Sequence, residues 1–466
     1  MNRILILVDH PQRDLAGMVL CAVELHRLGI HPYLASMHQG HSAVFNLVPD
    51  AVLVPFCRDA NAHFIRALFH KGIMVFVLDT EGGIISSLAD YAATIASDPD
   101  SRMCIETYFS WGPRVADYLT DTGVFLEDQV TVTGHPRFDY YYSPYKEALE
   151  ARWSRSREKA HRIMIASTFT LVNPRFTDRD TEIEILKRAG VSQVLIDKRV
   201  ETESRAIEAF IKLTRRLSRE FPGIQWVLRP HPFEDETIYD QCIVGDNVFI
   251  EREGEIRRSF HQSTALIHHG STTGLEAAIQ GLPVFETAWL KRWAELPAVH
   301  AAGRQCQSED MLVEAIRDLV KAGDTARKLN EDEWMEIESW AGPLDGRSAI
   351  RLAHAMASRM RNARRPNRHE VLREYYGVSH PFRFHRLAGA YLRWWLNLPA
   401  SHAFRKQITD PRRQQRNAIK SFGIDDIREW LLIVGERGIN VVITDSGTDL
   451  FVVDPAVPVW KICKTR

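Results

Sequence analysis

Two prolines flank a histidine in the segment Arg229-Pro230-His231-Pro232, which directly follows the apolar run at residues 225–228. Arginine offers a planar guanidinium fork to a phosphate, and histidine offers a ring nitrogen whose charge changes near neutral pH. Because proline fixes its own φ and restricts the residue before it, the turn is expected to hold Arg229 and His231 outward. The segment predicts a phosphate-binding turn, and a rigid surface loop with an ordinary polar pair is the alternative.

A second segment, residues 265–277, reads as a strand, a glycine-rich turn and the start of a helix. Free backbone N–H groups at a helix N-terminus attract anions, and glycine lets a ligand approach the backbone. A capped helix would explain one hydroxyl there, but not three hydroxyls, two glycines and two histidines together. Thr168, after the first strand of the same half of the chain, is a further phosphate contact or part of a plain turn. The predicted nucleotide-binding residues of the segment are His269, Gly270, Ser271, Thr272, Thr273 and Glu276.

An acidic motif, Asp79-Thr80-Glu81 followed by two glycines, comes directly after the apolar run at residues 73–78. A carboxylate that faces an enclosed cleft can have its pKa raised by desolvation, which suits a general base near neutral pH. The motif therefore predicts a base, and a turn with solvated acids is the alternative. Arg13, after the first apolar run of the chain, is a further candidate for the lining of the cleft, and a plain turn is the alternative.

The elements that must position these motifs alternate between short apolar runs and amphipathic helical patterns. The alternation fills residues 1–155, restarts at 156 and continues to 360. Continuous apolar strands between helices are typical of a parallel sheet that is covered on both faces. The sequence predicts an α/β fold with two Rossmann-like domains, 1–155 and 156–360. Residues 361–466 are predicted to form a basic extension and, from about 421, a small α/β-like unit.

The net charge of the chain is −1, which is not the signature of a nucleic-acid-binding protein. Positive charge is concentrated in one segment, however: residues 359–420 contain 15 Lys and Arg and only 3 Asp and Glu. With its tryptophans, the segment 361–420 predicts contact with an anionic membrane surface, and a helix with a solvated basic face is the alternative.

Neither an apolar run of membrane-spanning length nor a phosphate-binding or dinucleotide glycine fingerprint occurs in the sequence. The six cysteines lack zinc-site spacing, and no acidic pair suggests magnesium. We therefore expect a cytoplasmic protein, peripheral on the inner face of the membrane, that works without a metal.

Five motifs occur in an order and spacing that resemble a known family. Over about residues 1–350 the chain resembles the bacterial surface carbohydrate biosynthesis proteins. These are similar to the sialyltransferases and 3-deoxy-manno-octulosonic acid (Kdo) transferases of GT-B fold, which use CMP-activated acidic sugars. The resemblance implies a GT-B architecture, in which two Rossmann-like domains, the first on the acceptor side, face a cleft. The motifs are Leu-Asp-Thr-Glu-Gly at 78–82, Phe-Ser-Trp-Gly at 109–112, Val-Thr-Gly-His-Pro-Arg-Phe-Asp at 132–139, Arg-Pro-His-Pro at 229–232 and Gly-Ser-Thr-Thr-Gly-Leu-Glu at 270–276.

The resemblance implies an inverting glycosyltransferase without a cofactor, which moves a sugar such as Kdo or sialic acid from a CMP-linked donor to a glycan or lipid-linked acceptor. Glu81 or Asp79 would be the catalytic base. His231 would contact the nucleotide phosphate and help CMP to leave. Many members have two adjacent acids before the glycine, whereas Thr80 separates them here, so the assignment of the base stays open.

Such a displacement requires positioning, one base and charge stabilisation on the leaving phosphate. The carboxylate of an acidic sugar also requires a cationic partner, for which Arg13 and Arg137 are the candidates. Two other enzyme classes remain open: a UDP-N-acetylglucosamine 2-epimerase and a CDP-glycerol type glycerophosphotransferase. A third alternative is a non-catalytic partner in a polysaccharide assembly complex.

Overall fold

The computed structural model describes most of the chain, as two compact units that each contain one sheet. The first unit comprises residues 1–83, 87–148 and 341–466, and the second comprises 84–86 and 149–340. None of the helices within the described residues is both long enough and apolar enough to cross a membrane. The described residues are 2–95, 98–153, 161–188, 191–252, 254–322, 329–361, 366, 411–435, 439–443 and 459–464.

Strands and helices alternate along most of the described chain. The strands are β1 Arg3–Val8, β2 His31–Ser36, β3 Ala51–Val54, β4 Met74–Leu78, β5 Thr107–Ser110, β6 Val130–Val132, β7 Arg162–Ala166, β8 Gln225–Arg229, β9 Val248–Ile250, β10 Ala265–His268, β11 Val284–Thr287, β12 Arg304–Cys306, β13 Ile439–Ile443 and β14 Trp460–Lys464. The helices are α1 Ala16–Arg27, α2 Gly40–Leu47, α3 Asp59–His70, α4 Leu88–Thr94, α5 Pro99–Met103, α6 Pro113–Asp121, α7 Tyr145–Arg152, α8 Arg179–Arg188, α9 Gln193–Glu220, α10 Ile256–Gln262, α11 Thr272–Gln280, α12 Pro297–Ala301, α13 Glu309–Ala322, α14 Glu331–Ala341, α15 Ser348–Met360, α16 Pro411–Ile419 and α17 Ile424–Val434.

The sheet of the first unit is built on parallel strands in the order β2-β1-β3-β4-β5-β6. Strand β1 is a continuous apolar run that is buried along its whole length, as expected when helices cover both faces of a sheet. The strand order reverses beside β1, so the carboxyl ends of β1 and β3 lie at the point where doubly wound sheets bind ligands.

The second unit has the order β9-β8-β7-β10-β11-β12, and every neighbouring pair is parallel. This is the strand order of a Rossmann domain, with its reversal point between β7 and β10. Phe169, Phe210 and Trp226 are fully buried in its core, where the amphipathic helix α9 covers one face of the sheet. Two parallel Rossmann-like sheets are what the sequence predicted.

The C-terminal strands, predicted as a small α/β-like unit from about residue 421, are part of the first sheet. Strand β14 pairs antiparallel with β2, with Trp460 opposite Leu34, and β13 pairs antiparallel with β14. Trp430 of α17 packs edge-on against Tyr140. The described residues of 421–466 therefore complete the first sheet at its β2 edge, where they cover backbone groups that would otherwise be unpaired.

Helix α15 also belongs to the first unit, although the sequence placed residues 341–360 in the second domain. The buried carboxylate of Asp139 accepts hydrogen bonds from the backbone N–H groups of Ser348 (3.0 Å) and Ala349 (2.8 Å). These are N–H groups of the first turn of α15, which have no partner within the helix. Gly134 permits the close approach, because a Cβ there would lie 2.5 Å from Ser348 Oγ. The motif at residues 132–139 thus anchors a distant helix.

We predict that Asp139→Ala lowers the stability of the first unit by about 1–3 kcal/mol, the cost of leaving buried donors without an acceptor. Asp139→Asn keeps one acceptor oxygen and should lose less. Urea unfolding followed by circular dichroism measures both variants. An Asp139→Ala protein that unfolds at the urea concentration of the wild type would contradict this role.

Candidate functional site

The reversal point of the second sheet brings several predicted residues to one edge. Thr168 lies two residues after the end of β7, and His269 and Gly270 directly follow β10. Because β7 and β10 are hydrogen-bonded neighbours, the carboxyl ends of both strands open at the same place. The turn after β10 and the loop after β7 therefore lie side by side as a candidate ligand site, and nucleotide binding there stays a prediction.

The turn after β10 is held in place by buried contacts. Gly270 has φ +61°, a left-handed conformation that favours glycine. Ser271 caps α11, with its Oγ accepting from the N–H of Thr273 (3.3 Å), and its own N–H donates to His268 Nδ1 (3.2 Å). His268 lies directly under Gly274, where a Cβ would be 2.4 Å from the imidazole Nε2. Both glycines thus serve the packing of this helix start.

Two threonines follow Ser271 in the first turn of α11. Thr272 is exposed and Thr273 is half-buried, so the rim of the helix start carries hydroxyl groups. Glu276 lies one turn further and is half-buried. An exposed helix start with hydroxyl groups can hold an anion such as a phosphate.

His269 contributes a neutral ring rather than a charge. It is buried, its Nδ1 lies 3.0 Å from Thr287 Oγ1, and its ring stacks on Phe169 at a centroid distance of 5.8 Å. Burial and the neighbouring guanidinium of Arg292 lower the pKa of His269 to about 4. At neutral pH the ring is therefore uncharged, and it shapes the wall of the site without attracting a phosphate electrostatically.

Arg229 does not project from the turn as the sequence predicted. Its Nη1 donates to Glu251 Oε1 (2.6 Å) and to Ser259 Oγ (2.8 Å), and its Nη2 donates to the Gly254 carbonyl oxygen (2.5 Å). A guanidinium engaged by a carboxylate and two further acceptors has little capacity left for a phosphate. Arg229 instead ties the end of β8 to the segment after β9.

His231 is compatible with the phosphate contact predicted for it, and that contact stays a prediction. Its side chain is half-buried, and its Nδ1 accepts the backbone N–H of Phe233 (3.2 Å). In a neutral imidazole whose Nδ1 accepts, the proton resides on Nε2, which is then a donor. The turn thus fixes the tautomer that can donate to a phosphate oxygen.

Glu234 is an acid that sequence reasoning missed. Its Oε1 accepts the N–H of Phe169 (2.7 Å), its Oε2 accepts the hydroxyls of Ser167 (2.9 Å) and Tyr239, and its own N–H donates to the His231 carbonyl (2.8 Å). Burial raises the pKa of Glu234 to about 7. This carboxyl group joins the loop after β7 to the turn after β8. Its position beside the His-Pro turn was the only signal in the sequence.

In the first unit, Asp79 directly follows β4 and is completely buried. Its carboxylate accepts from the Glu81 N–H (2.9 Å) and the Tyr91 hydroxyl (3.0 Å), and Arg58 lies 3.3 Å away. Burial raises the pKa of Asp79 above its ordinary value, although Arg58 and the hydrogen bonds oppose the rise. Trp111 donates to the Asp79 carbonyl (2.6 Å). Asp79 is therefore the buried centre of this loop.

Glu81, by contrast, faces solvent with 57% of its side chain exposed. Its carboxylate lies 3.3 Å from Arg13 Nη1 and 4.0 Å from Arg58 Nη2. The two acids thus lie in different environments: Asp79 is enclosed by hydrogen-bond donors, and Glu81 is accessible to a substrate. Arg58 was not predicted, although it lies just beyond the apolar run of β3, where a ligand-binding residue is expected.

Neither candidate for a sugar carboxylate is free to take that role. Arg137 is 1% exposed, and its Nη2 donates to Asp14 Oδ1 (2.9 Å) and to the Thr80 carbonyl (2.6 Å). Arg13 binds Asp14 through Nε (3.0 Å) and Nη2 (3.1 Å) and has only part of its side chain exposed. The prediction for Arg137 is therefore corrected, because a buried arginine with two strong acceptors holds loops together. Arg13 faces Glu81 rather than an open surface.

The chain matches no protein-family model and no curated protein sequence. Among solved structures, UDP-GlcNAc 2-epimerase from Methanocaldococcus jannaschii is 12% identical with a TM-score of 0.50, over 77% of this chain and 100% of that chain. UDP-GlcNAc 2-epimerase from Neisseria meningitidis bound to UDP-GlcNAc is 13% identical with a TM-score of 0.48, over 77% and 100%. A variant of the wall teichoic acid polymerase TagF with CDPG is 13% identical with a TM-score of 0.41, over 67% and 73%. At such identities the likeness concerns the fold, and the predicted GT-B type of fold is confirmed.

Glu234 should make stability depend on pH. The folded protein keeps its proton up to about pH 7, whereas the unfolded chain releases it near the ordinary pKa of 4.5. The proton on Glu234 therefore contributes its full stabilisation below pH 4.5, and that contribution is lost as the pH rises from 4.5 to 7. We expect the free energy of unfolding of the wild type to fall by about 1 kcal/mol per pH unit in that window. Glu234→Gln is uncharged at every pH, so it should not show this fall.

Urea unfolding between pH 5 and pH 7.5 measures this decline. The control is Glu208→Gln on the exposed face of α9, which should follow the wild type. Parallel curves for Glu234→Gln and the wild type would show that Glu234 is ionised in the folded protein throughout the range.

Proposed function

We propose that this chain is an enzyme of surface carbohydrate biosynthesis that binds a nucleotide-linked substrate in its second unit. The observation that carries this proposal is the exposed start of α11 at the reversal point of a Rossmann sheet, on the same carboxyl edge as Thr168 and the donor tautomer of His231. Backbone N–H groups, hydroxyls and a ring N–H are the donors that stabilise charge on a departing phosphate.

We further propose that the substrate carries a nucleoside diphosphate, as in UDP-GlcNAc 2-epimerases or CDP-glycerol glycerophosphotransferases, rather than a CMP-linked ulosonate. An ulosonate requires a cation for its carboxylate, and both candidates for that cation are engaged by Asp14. The fold of the epimerase from Methanocaldococcus jannaschii, which this chain resembles, supports the same choice. The thermal unfolding experiment below also tests whether the donor is a CMP-activated sugar.

Glu81 is the proton acceptor in this proposal, and Asp79 is its positioning residue. Exposure lets Glu81 meet a substrate proton, and Arg13 and Arg58 hold its carboxylate in place. Asp79 fixes the loop through the Glu81 N–H and is closed to substrate. The electron pair freed at the deprotonated atom forms the new bond to the atom that carried the nucleotide, and the pair of the broken bond leaves on the phosphate oxygen. The donors of the second unit stabilise the charge of that phosphate. We propose no cofactor, since this sequence of steps requires only a base and fixed donors.

The acceptor and the location of the protein stay predictions. A glycan or a lipid-linked acceptor would suit the proposed role, and so would peripheral contact with the membrane. The basic aromatic segment behind that idea, within 361–420, lies outside the described residues except for Arg361, Pro366 and 411–420.

Thermal unfolding with UDP, CDP and CMP, each in EDTA and in magnesium chloride, tests the substrate class. At 100 times its Kd a nucleotide stabilises the protein by about 2.7 kcal/mol, which raises Tm by several degrees. We expect UDP or CDP to raise Tm more than CMP, and Thr168→Val to reduce the rise without changing the Tm of the free protein. A rise with CMP alone would exclude a UDP-linked substrate and leave a CMP-linked sugar or CDP-glycerol, since transfer of glycerol phosphate from CDP-glycerol also releases CMP. No rise with any nucleotide would remove the proposed site.

Separate variants of the two acids test the base. Glu81→Gln should lower turnover of the nucleotide substrate at least about 100-fold and leave Tm unchanged, because the side chain is exposed. Asp79→Asn should lower Tm by several degrees, because it disturbs the hydrogen bonds of a buried carboxylate and its pair with the partly exposed Arg58. Nucleotide release and Tm are measured on both proteins. Full activity of Glu81→Gln would exclude it as the base.

A further inference from the structure

A small cavity lies at the carboxyl edge of the first sheet, at the reversal point between β1 and β3. Side chains of β1, β3 and β4 form its apolar wall, and its polar lining comes from Asp9, Asp14, Thr80 and His135. Its volume is about 10 Å³, which is room for one group about the size of a water molecule. A ligand could therefore place a single small group in it.

His135, which lines this cavity, carries a hydrogen-bond donor of fixed position. Its Nδ1 accepts the backbone N–H of Arg137 (3.1 Å) and the Nε–H of the same residue (3.3 Å). The ring proton is therefore on Nε2. Burial and the guanidinium of Arg137 lower the pKa of His135 well below its ordinary value, so the ring stays neutral. Nε2 is buried and has no hydrogen-bond partner among the residues that the structure describes.

The charges beside the cavity select against an ion. The carboxylate of Asp14 is held by Arg13 and Arg137, and that of Asp9 lies 3.5 Å from Arg13 and 2.8 Å from Lys420. Two carboxylates disfavour an anion, and the paired cations disfavour another cation. A hydroxyl group satisfies both sides, because its oxygen can accept from an N–H while its hydrogen is donated to a carboxylate.

We propose that this cavity is a subsite for one uncharged hydroxyl group of a sugar or polyol. The hydroxyl accepts a hydrogen bond from His135 Nε2 and donates one to the carboxylate of Asp9 or Asp14. The chemical class of the ligand, a sugar or polyol, rests on the proposed function. The cavity and its hydrogen-bonding groups do not depend on it. His135 is then a binding residue, and Arg137 is the residue that fixes its tautomer.

The test follows the His135 Nε2–H resonance in the full chain labelled with ¹⁵N-histidine. The resonance is assigned by its loss in His135→Asn, which keeps an acceptor near the Nδ1 position and removes the donor. Contact with the Trp111 ring, whose centroid lies 4.8 Å from that of His135, gives an assignment that needs no variant. Glycerol, N-acetylglucosamine and UDP-GlcNAc are the probes, and 1,2-dimethoxyethane is the control without a hydroxyl.

We expect a saturable shift of this resonance with at least one hydroxyl probe and none with the ether. His135→Asn should weaken that probe about tenfold, the loss of one hydrogen bond to a buried donor. His135→Gln, which can return an amide N–H near the Nε2 position, should recover part of the affinity.

Two results would overturn the subsite. One is a resonance that no hydroxyl probe moves and that exchanges magnetisation with water, which means that the cavity holds an ordered water only. The other is an equal response to the ether. Because the titration is measured on the wild type, it tests hydroxyl binding in the cavity even if both variants fail to fold. If UDP and CDP do not stabilise the protein but the resonance shifts, the proposed function is contradicted and the subsite is supported.

Discussion

The buried guanidinium of Arg137 is the interaction on which the carboxyl edge of the first sheet depends. It binds Asp14 from the loop after β1, the Thr80 carbonyl from the loop after β4, and His135 from its own loop after β6. Its guanidinium also lies over the Trp111 ring, 4.9 Å from the centroid. A buried charge is tolerated only where such partners surround it, so the three loops must keep one arrangement.

In the second unit a buried acid, Glu234, joins neighbouring loops in a similar way. Glu234 collects donors from the loop after β7 and, through its own N–H, binds the His231 carbonyl of the turn after β8. Arg229 is engaged by Glu251 at the end of β9. In both units a buried ionisable group joins neighbouring loops, and the residues left towards solvent, such as Glu81 and Thr272, are those that can meet a ligand.

The sequence was sufficient for the sheets and for the placement of the motifs, because apolar runs such as β1 and β4 are local signals. It was insufficient for the direction of an arginine, because that depends on a partner elsewhere in the chain. Arg137 meets Asp14 across 123 residues, and Arg229 meets Glu251 across 22. Strand β14 joins the edge of β2 through pairing between residues near opposite ends of the chain, which no local pattern encodes.

The spacing of the acidic motif follows from the same constraint. Asp79 must turn inward to accept from Tyr91 and from the Glu81 N–H, and Thr80 must present its carbonyl to Arg137. With those two positions fixed, Glu81 faces solvent beside Arg13 and Arg58. The threonine that separates the two acids therefore supplies the backbone contact that keeps one acid buried and the other accessible. Two acids in one short motif have different environments because the residue between them is bound to Arg137.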